Sequence, residues 1–451
     1  MDIILNISKA IEVIGHQKIR EGEYRPSIYN ISLPQDDKIL VYNLFTRGML
    51  CLSQEEFEVA SAPCFAGSSE LSDLQSYLIE NYYFVPSEMD EQKSYLEVNE
   101  MIHAMDYRQH IRSYTVLTTT ACNARCFYCF EKDFVPVSMD AKTAHDLAQF
   151  MLKNVGKEPL RIHWFGGEPL CNTAVMDQIS AELREHGQEF SSHITSNGYA
   201  FTEELVLRAK NDWNVRFVQI TLDGMEEEHN RRKNFKANHD NPFLRTIENI
   251  HLLLKHEITV SVRVNFDPHN IESVRELLAY LKNEFAGEMR LVVYTAKIFD
   301  DCGAWKSGHT SEQAKMMNET HDEFTGFLAD NNMSRPKACT NGYKYYHCGS
   351  NNIHHRTVSP EGKFLLCHNL SDTEGFGSIY DGITDQDLYH RWVINSDVAE
   401  KCNGCPLLPE CTPFGMCPNI LSNCKEERKS NLVKSMKERY RKYLKYLEKK
   451  Q

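Results

Sequence analysis

A chain of 451 residues, 41% apolar and 25% charged, suits several domains around large buried cores, which excludes a disordered or fibrous protein. Its net charge of −13 offers no basic field, so nucleic acid is not the expected partner. No run of eighteen apolar residues is present and the start, MDIILNISKAIEVIG, lacks the basic stretch of a signal peptide, so a cytoplasmic protein with no membrane partner is expected. In that reducing setting fifteen cysteines point to metal ligands before disulfides.

Taken in chain order, residues 1–105 carry short alternating segments at 27–33, 38–42 and 48–52. Helical patterns follow near 53–61 and 70–81, which together predict a small hairpin followed by helices. Between about 106 and 310 the pattern changes. Apolar strand runs at 114–119, 160–165, 192–195, 215–222, 259–265 and 289–295 alternate with amphipathic stretches such as 173–186, 243–256 and 271–285. Repeated βα units predict a parallel sheet with helices outside it, a partial (β/α)6 barrel whose chemistry gathers at the carboxyl ends of the strands. Residues 311–425 are cysteine-dense, and 426–451 read as a docked amphipathic helix through Leu432, Met436, Tyr440, Leu444 and Leu447.

Each predicted barrel strand ends in something polar or glycine-rich. The first is followed by ACNARCFYCFEKD, in which Cys122, Cys126 and Cys129 are spaced x3 and x2, with Tyr128 before the last. Three thiolates can hold three irons of a cubane cluster and leave the fourth iron open, whereas an electron-carrying cluster takes four cysteines. The later strand ends carry Gly166-Gly167-Glu168, Thr195-Ser196-Asn197-Gly198, Asp223-Gly224 and the Arg263/Asn265 pair. Glycine allows backbone to approach a ligand closely, and Glu168 supplies an acceptor for an ammonium group. Downstream of Asp223 come His229, Arg231 and Arg232, either of whose guanidiniums can pair with a carboxylate.

The C-terminal cysteines are Cys339, Cys348 and Cys367, then Cys402, Cys405, Cys411, Cys417 and Cys424. Their CxxC pair is also zinc-ribbon spacing, so two zinc ions are the competing reading. Cys51, Cys64, Cys171 and Cys302 remain, and small buried hydrophobes account for most such residues.

These motifs resemble the radical S-adenosylmethionine (SAM) enzymes, and the C-terminal cysteines resemble the SPASM extension found in ribosomal-peptide maturases of the sactipeptide and ranthipeptide type. The resemblance implies an α/β fold: a partial (β/α)6 radical SAM barrel, an N-terminal winged-helix-like peptide-recognition domain and a C-terminal cysteine-rich SPASM domain. It implies S-adenosyl-L-methionine and three [4Fe–4S] clusters. The catalytic cluster would sit on Cys122, Cys126 and Cys129. Tyr128, Gly166, Gly167, Glu168, Ser196, Asn197, Arg231 and Arg232 would contact the cofactor. Cys339, Cys348, Cys367 and Cys417 would hold the nearer auxiliary cluster, and Cys402, Cys405, Cys411 and Cys424 the farther one. Five residues separate Cys411 from Cys417 where the family usually has three.

The activity so implied is that of an oxidoreductase. A 5′-deoxyadenosyl radical removes hydrogen from a precursor peptide bound through its leader, and an intramolecular crosslink follows. A cysteine thioether is the first expectation and a carbon–carbon link the second. An electron donor such as flavodoxin or ferredoxin is the further partner. Anaerobic sulfatase maturases are a less fitting relative, because over a hundred residues precede the cysteine loop and His368 stands where they carry a catalytic Asp. A structural histidine is the plainer reading of His368. A non-enzymatic iron–sulfur or zinc protein is the remaining alternative.

Overall fold

The computed structural model describes residues 2–5, 15–67, 70–106, 110–132, 134–236, 241–298, 311–334, 349–368, 375–394 and 398–410, and parts of a helix between 429 and 444. Among the described residues no helix is long and apolar enough to cross a membrane. The chain divides into two compact units. One joins 109–336 with 353–389, and the other joins 1–108 with 337–352 and 390–451. The cysteine-dense stretch that reads as one region in sequence thus contributes to both.

In the first unit six strands lie side by side in chain order: β8 (Ser113–Thr119), β9 (Leu160–Gly166), β10 (Phe190–Ser196), β11 (Val215–Leu222), β12 (Thr259–Phe266) and β13 (Leu291–Lys297). All neighbours among them pair in parallel. The strand positions match those expected from sequence within two residues. Asp140 caps α4 (Ala141–Asn154), Thr202 caps α6 (Glu203–Asn211) and Asn241 caps α8 (Pro242–Lys255), each accepting backbone N–H bonds that the helix start leaves open. The other helices of this unit are α5 (Thr173–Glu185), α7 (Glu226–Lys233), α9 (Ile271–Glu284) and α10 (Ser311–Asp330). One face of the sheet is apolar and fully buried, with Val116, Trp164, Ile194, Ile220, Val262 and Val293 wholly inaccessible.

The sheet continues past β8. β14 (His355–Val358) pairs with β8 in parallel, and β15 (Lys363–Leu365), β16 (Gly377–Ser378) and β17 (Gly382–Ile383) add antiparallel strands. Six units therefore become seven parallel strands, because after β13 and α10 the chain returns to the opposite edge of the sheet and lays β14 beside β8.

The second unit holds two antiparallel sheets. One has the order β1 (Asp2–Leu5), β5 (Met49–Leu52), β4 (Lys38–Asn43), β3 (Asn30–Gln35); the other has β6 (Phe65–Gly67), β2 (Gly22–Pro26), β7 (Phe84–Pro86). Helices α1 (Gln54–Ala60) and α2 (Asp73–Glu80) each open on a capping box, Ser53 with Glu56 and Ser72 with Gln75. A longer helix, α3 (Glu91–Asp106), follows. Leu432, Met436 and Tyr440 bury themselves in one cluster with Tyr29, Tyr42, Tyr95, Cys402 and Cys405, so the C-terminal helix is docked through the residues its periodicity picks out. Leu444 is exposed.

Candidate active site

The cysteine loop leaves the carboxyl end of β8. Cys129 N–H donates to Cys126 O at 3.1 Å, closing the turn that brings the last two thiols to one side. Burial raises all three thiol pKa values, Cys122 to about 12 and Cys129 to about 11, with Cys126 also raised. Thiols so disfavoured as free thiolates ionise when a cation takes them as ligands. Among the described residues no three His, Cys, Asp or Glu side chains converge on a point that would hold a single metal ion.

The end of β9 is stitched to this loop. Gly167 N–H donates to Thr119 O at 3.0 Å and Glu168 N–H to Ala121 O at 2.9 Å. A Cβ on Gly166 would stand 2.0 Å from Thr119 O, and one on Gly167 2.6 Å from the carbonyls of Thr120 and Ala121. The two glycines thus admit the backbone of the cysteine loop. Sequence reasoning had assigned that space to a ligand.

Glu168 is fully buried and its carboxylate accepts from Ser196 Oγ at 2.9 Å, Asn197 N at 2.8 Å and Leu170 N at 3.2 Å. Burial raises its pKa to about 7 against the pull of those three donors. Two carboxylate oxygens offer about four acceptor positions, so one stays open for an ammonium group. Asn197 Nδ2 donates to Asn123 Oδ1 at 2.6 Å, tying the end of β10 to the cysteine loop.

A second buried set holds the loop from the other side. Tyr128 donates its hydroxyl proton to Asp223 Oδ2 at 2.6 Å and accepts from Lys233 Nζ at 3.2 Å and Asn265 Nδ2 at 3.3 Å. Lys233 Nζ also lies 3.4 Å from Asp223 Oδ2. Burial opposes the lysine's charge, but Asp223 and the Cys126 sulfur outweigh it and raise its pKa. Asp223 Oδ1 is buried without a hydrogen-bond partner. Tyr128, expected at the cofactor, has its hydroxyl engaged in anchoring the loop.

The arginines expected at the cofactor are engaged elsewhere. Arg231 is exposed and pairs with Glu228 at 2.6 Å. Arg232 is buried, bonded to Glu228 and, through two nitrogens, to Asp267 at 2.7 and 2.9 Å. Arg232 also lies over the ring of Phe127 in the loop, at 5.3 Å, and Lys233, which sequence reasoning missed, reaches the loop through Tyr128. The signal was available: His229 and Lys233 are four apart on α7, so both fall on its buried face.

Of the cysteines expected to hold auxiliary clusters, Cys339, Cys348, Cys411, Cys417 and Cys424 lie outside the described residues, as does Cys302. Cys367 is half-buried in the barrel unit, and Cys402 and Cys405 are buried in the other. Cys405 N–H donates to Cys402 O at 3.0 Å, and Gln92 clasps the turn, donating to Asn403 Oδ1 at 3.1 Å and accepting from Gly404 N at 2.7 Å. Cys51 is a buried hydrophobe as expected, whereas Cys64 and Cys171 are exposed. His368 sits against Phe165, ring centroids 4.6 Å apart, and burial lowers its pKa to about 4.

The family profile described as "Radical SAM superfamily" matches residues 116–281, which run from β8 into α9. The radical SAM cyclopropyl synthase TigE of Paramaledivibacter caminithermalis is 19% identical over 387 residues, 78% of each chain. Among solved structures, native anSMEcpe with bound AdoMet and a Cp18Cys peptide aligns with a TM-score of 0.54 at 17% identity, covering 75% of this chain and 99% of that one. Streptococcus suis SuiB bound to precursor peptide SuiA aligns with a TM-score of 0.52 at 12% identity, covering 88% and 96%. The two structures share the α/β fold with its mostly parallel sheet. With the three-cysteine loop and Glu168 at adjoining strand ends, residues 116–281 form a radical SAM domain, and the chain is a radical SAM enzyme.

Proposed function

We propose that this enzyme is a peptide maturase, which takes a hydrogen atom from a ribosomally made precursor peptide and closes an intramolecular crosslink in it. One observation carries the reading: the fold over most of the chain is shared with two proteins solved with a peptide bound. A [4Fe–4S] cluster on Cys122, Cys126 and Cys129, with S-adenosyl-L-methionine, would supply a 5′-deoxyadenosyl radical. Glu168 would accept the cofactor's ammonium, and that positive charge would return its carboxyl to the ionised form. Lys233 would face the cofactor carboxylate, with Ser196 and Asn197 setting the position of Glu168. Tyr128, Asp223 and Asn265 hold the loop against the ends of β11 and β12.

The remaining cysteines from Cys339 to Cys424 would form two auxiliary SPASM clusters that accept the electron released as the crosslink forms, with a flavodoxin or ferredoxin supplying reduction. The leader would add as a strand to the edge left by β3, where Ser32 and Pro34 are exposed. A cysteine thioether is the product expected from sequence. The match to TigE, a cyclopropyl synthase, favours carbon–carbon bond formation as a second reading.

Anaerobic reconstitution with iron and sulfide, then dithionite, S-adenosyl-L-methionine and a precursor peptide encoded beside the gene, tests this. About twelve irons per chain, 5′-deoxyadenosine and a peptide lighter by two hydrogens per site are expected. About four irons with bound zinc would remove the SPASM assignment. An unmodified peptide alongside 5′-deoxyadenosine would remove the substrate.

A further inference from the structure

The inner face of the barrel sheet is polar in an unusual way. Strand alternation and register place Thr115, His163, His193 and Phe217 side by side on β8 to β11. Their rings stack in series. His163 and His193 have centroids 4.1 Å apart at 11°, and His193 and Phe217 are 4.5 Å apart at 13°. The positions of β8 to β14 that share this face carry no Asp or Glu.

Within it a hydrogen-bonded series runs along the barrel. Thr195 Oγ1 lies 2.8 Å from His163 Nε2, and His163 Nδ1 lies 3.4 Å from Thr115 Oγ1. Thr115 Oγ1 is 3.3 Å from His355 Nε2, whose Nδ1 is 3.0 Å from Ser113 Oγ. Thr357 Oγ1 also approaches His355 Nε2, at 3.4 Å. Both nitrogens of both rings are therefore engaged, and the Thr115 hydroxyl can donate to one ring while accepting from the other. Thr195 is the residue before Ser196 at the cysteine-loop end of the strands, and Ser113 opens β8 at the opposite end. Four residues of strand rise separate the two levels, about 13 Å. Ser113 is half-buried, so the series ends at solvent.

We propose that Thr195, His163, Thr115, His355 and Ser113 form a proton relay that carries the proton released by peptide oxidation from the bore to the far end of the barrel. The proposal rests on the peptide reading above, though on neither choice of crosslink. In either, one bond to hydrogen gives its hydrogen atom to the 5′-deoxyadenosyl radical, making 5′-deoxyadenosine. A second X–H bond, S–H or C–H, is replaced by the new link and loses a proton and an electron. The electron would go to an oxidised iron–sulfur centre, and the described strand positions on this face offer no carboxylate to take the proton. Burial holds His163 below its ordinary pKa and brings His355 to about 3, so neither ring traps a proton as a cation. Transfer proceeds by exchange of tautomers.

Thr115→Val removes the central hydroxyl at nearly constant shape, and Thr115→Ser restores it. The relay predicts that Thr115→Val keeps making 5′-deoxyadenosine while crosslinked peptide per 5′-deoxyadenosine falls about tenfold, with the multi-proton solvent isotope effect lost. Thr115→Ser should recover both to within about twofold. Equal impairment in Val and Ser variants, or an unchanged ratio in Thr115→Val, overturns the relay. A second readout needs no turnover. In the cluster-free chain, ¹⁵N-histidine spectra assigned with His163→Gln and His355→Gln should show Thr115→Val shifting both rings at once. Shifts at neither ring overturn the relay. Linked shifts in a wild type that oxidises no peptide would instead overturn the peptide reading.

Discussion

Two cysteine turns with one local geometry sit in opposite surroundings. In both, the second cysteine of a CxxC donates its N–H to the carbonyl of the first, at 3.1 Å for Cys126 and Cys129 and 3.0 Å for Cys402 and Cys405. Around Cys126 the neighbours are Lys233, Asp223 and Tyr128. Around Cys402 and Cys405 they are Leu407, Leu408, Tyr95 and Met436. Spacing decides the turn. The strand ends and helix faces brought to it decide whether the turn meets a charged cavity or an apolar wall. A cluster held at the first turn would have fixed charges beside it and one held at the second would be insulated, and burial and nearby charge are what set cluster potentials.

The comparison breaks most sharply with Cys126→Ala, which should remove about four irons and reduce 5′-deoxyadenosine formation by at least about a thousandfold. Cys402→Ala should also cost about four irons yet leave 5′-deoxyadenosine formation within about threefold while crosslinked peptide disappears. Iron analysis and product counting on the same preparations separate the two. Next in size, Lys233→Met should weaken S-adenosyl-L-methionine binding by about tenfold to a hundredfold, read by equilibrium dialysis. Arg231→Met, on the exposed side of the same helix, should change it by less than about twofold.

Acid should act on the barrel unit through its neutral histidines. His193 and His355 have folded pKa values of about 4 and about 3 against an ordinary 6.5. The unfolded chain therefore binds protons first, and stability present above pH 6.5 is lost as pH falls toward 4. Glu168 has the opposite sign. Its folded pKa of about 7 exceeds the ordinary 4.5, so in the cofactor-free chain its contribution falls as pH rises through that window. His193→Gln should flatten the acid limb of a urea-midpoint profile by on the order of 2 kcal/mol. A smaller stability effect is expected of Gln92→Ala, which drops two hydrogen bonds to the 403–404 turn and should cost about 1–2 kcal/mol by the same measurement.

Much of this was legible in the residues. The six strands, the three-cysteine loop and the acidic and amide residues at the strand ends follow from local pattern, because βα repetition, caps and turn chemistry are local properties. What pattern could not give is register across strands. His163, His193 and His355 stand apart in sequence and meet only because β9 pairs with both β10 and β8, and β8 with β14. The glycines of the Gly-Gly-Glu segment illustrate the same limit. Their identity signalled a close approach, but only the fold shows that the approaching group is the carbonyl of Thr119. Helix spacing from His229 points to Lys233 as well as to the arginines beside it.

The pairing of β14 with β8 has a consequence for how the chain is made. Val116 faces Val358 across 242 residues, whereas β8 meets β9 within about fifty. At about 5–20 residues per second, synthesis of that interval takes some tens of seconds. As its strands emerge the sheet can assemble with the outer side of β8, beside the future relay, as an open edge able to pair with another nascent chain. Expression that slows initiation, or a chaperone that shields that edge, should therefore raise the soluble yield more than any change to the site itself, and a chain truncated before residue 353 should aggregate.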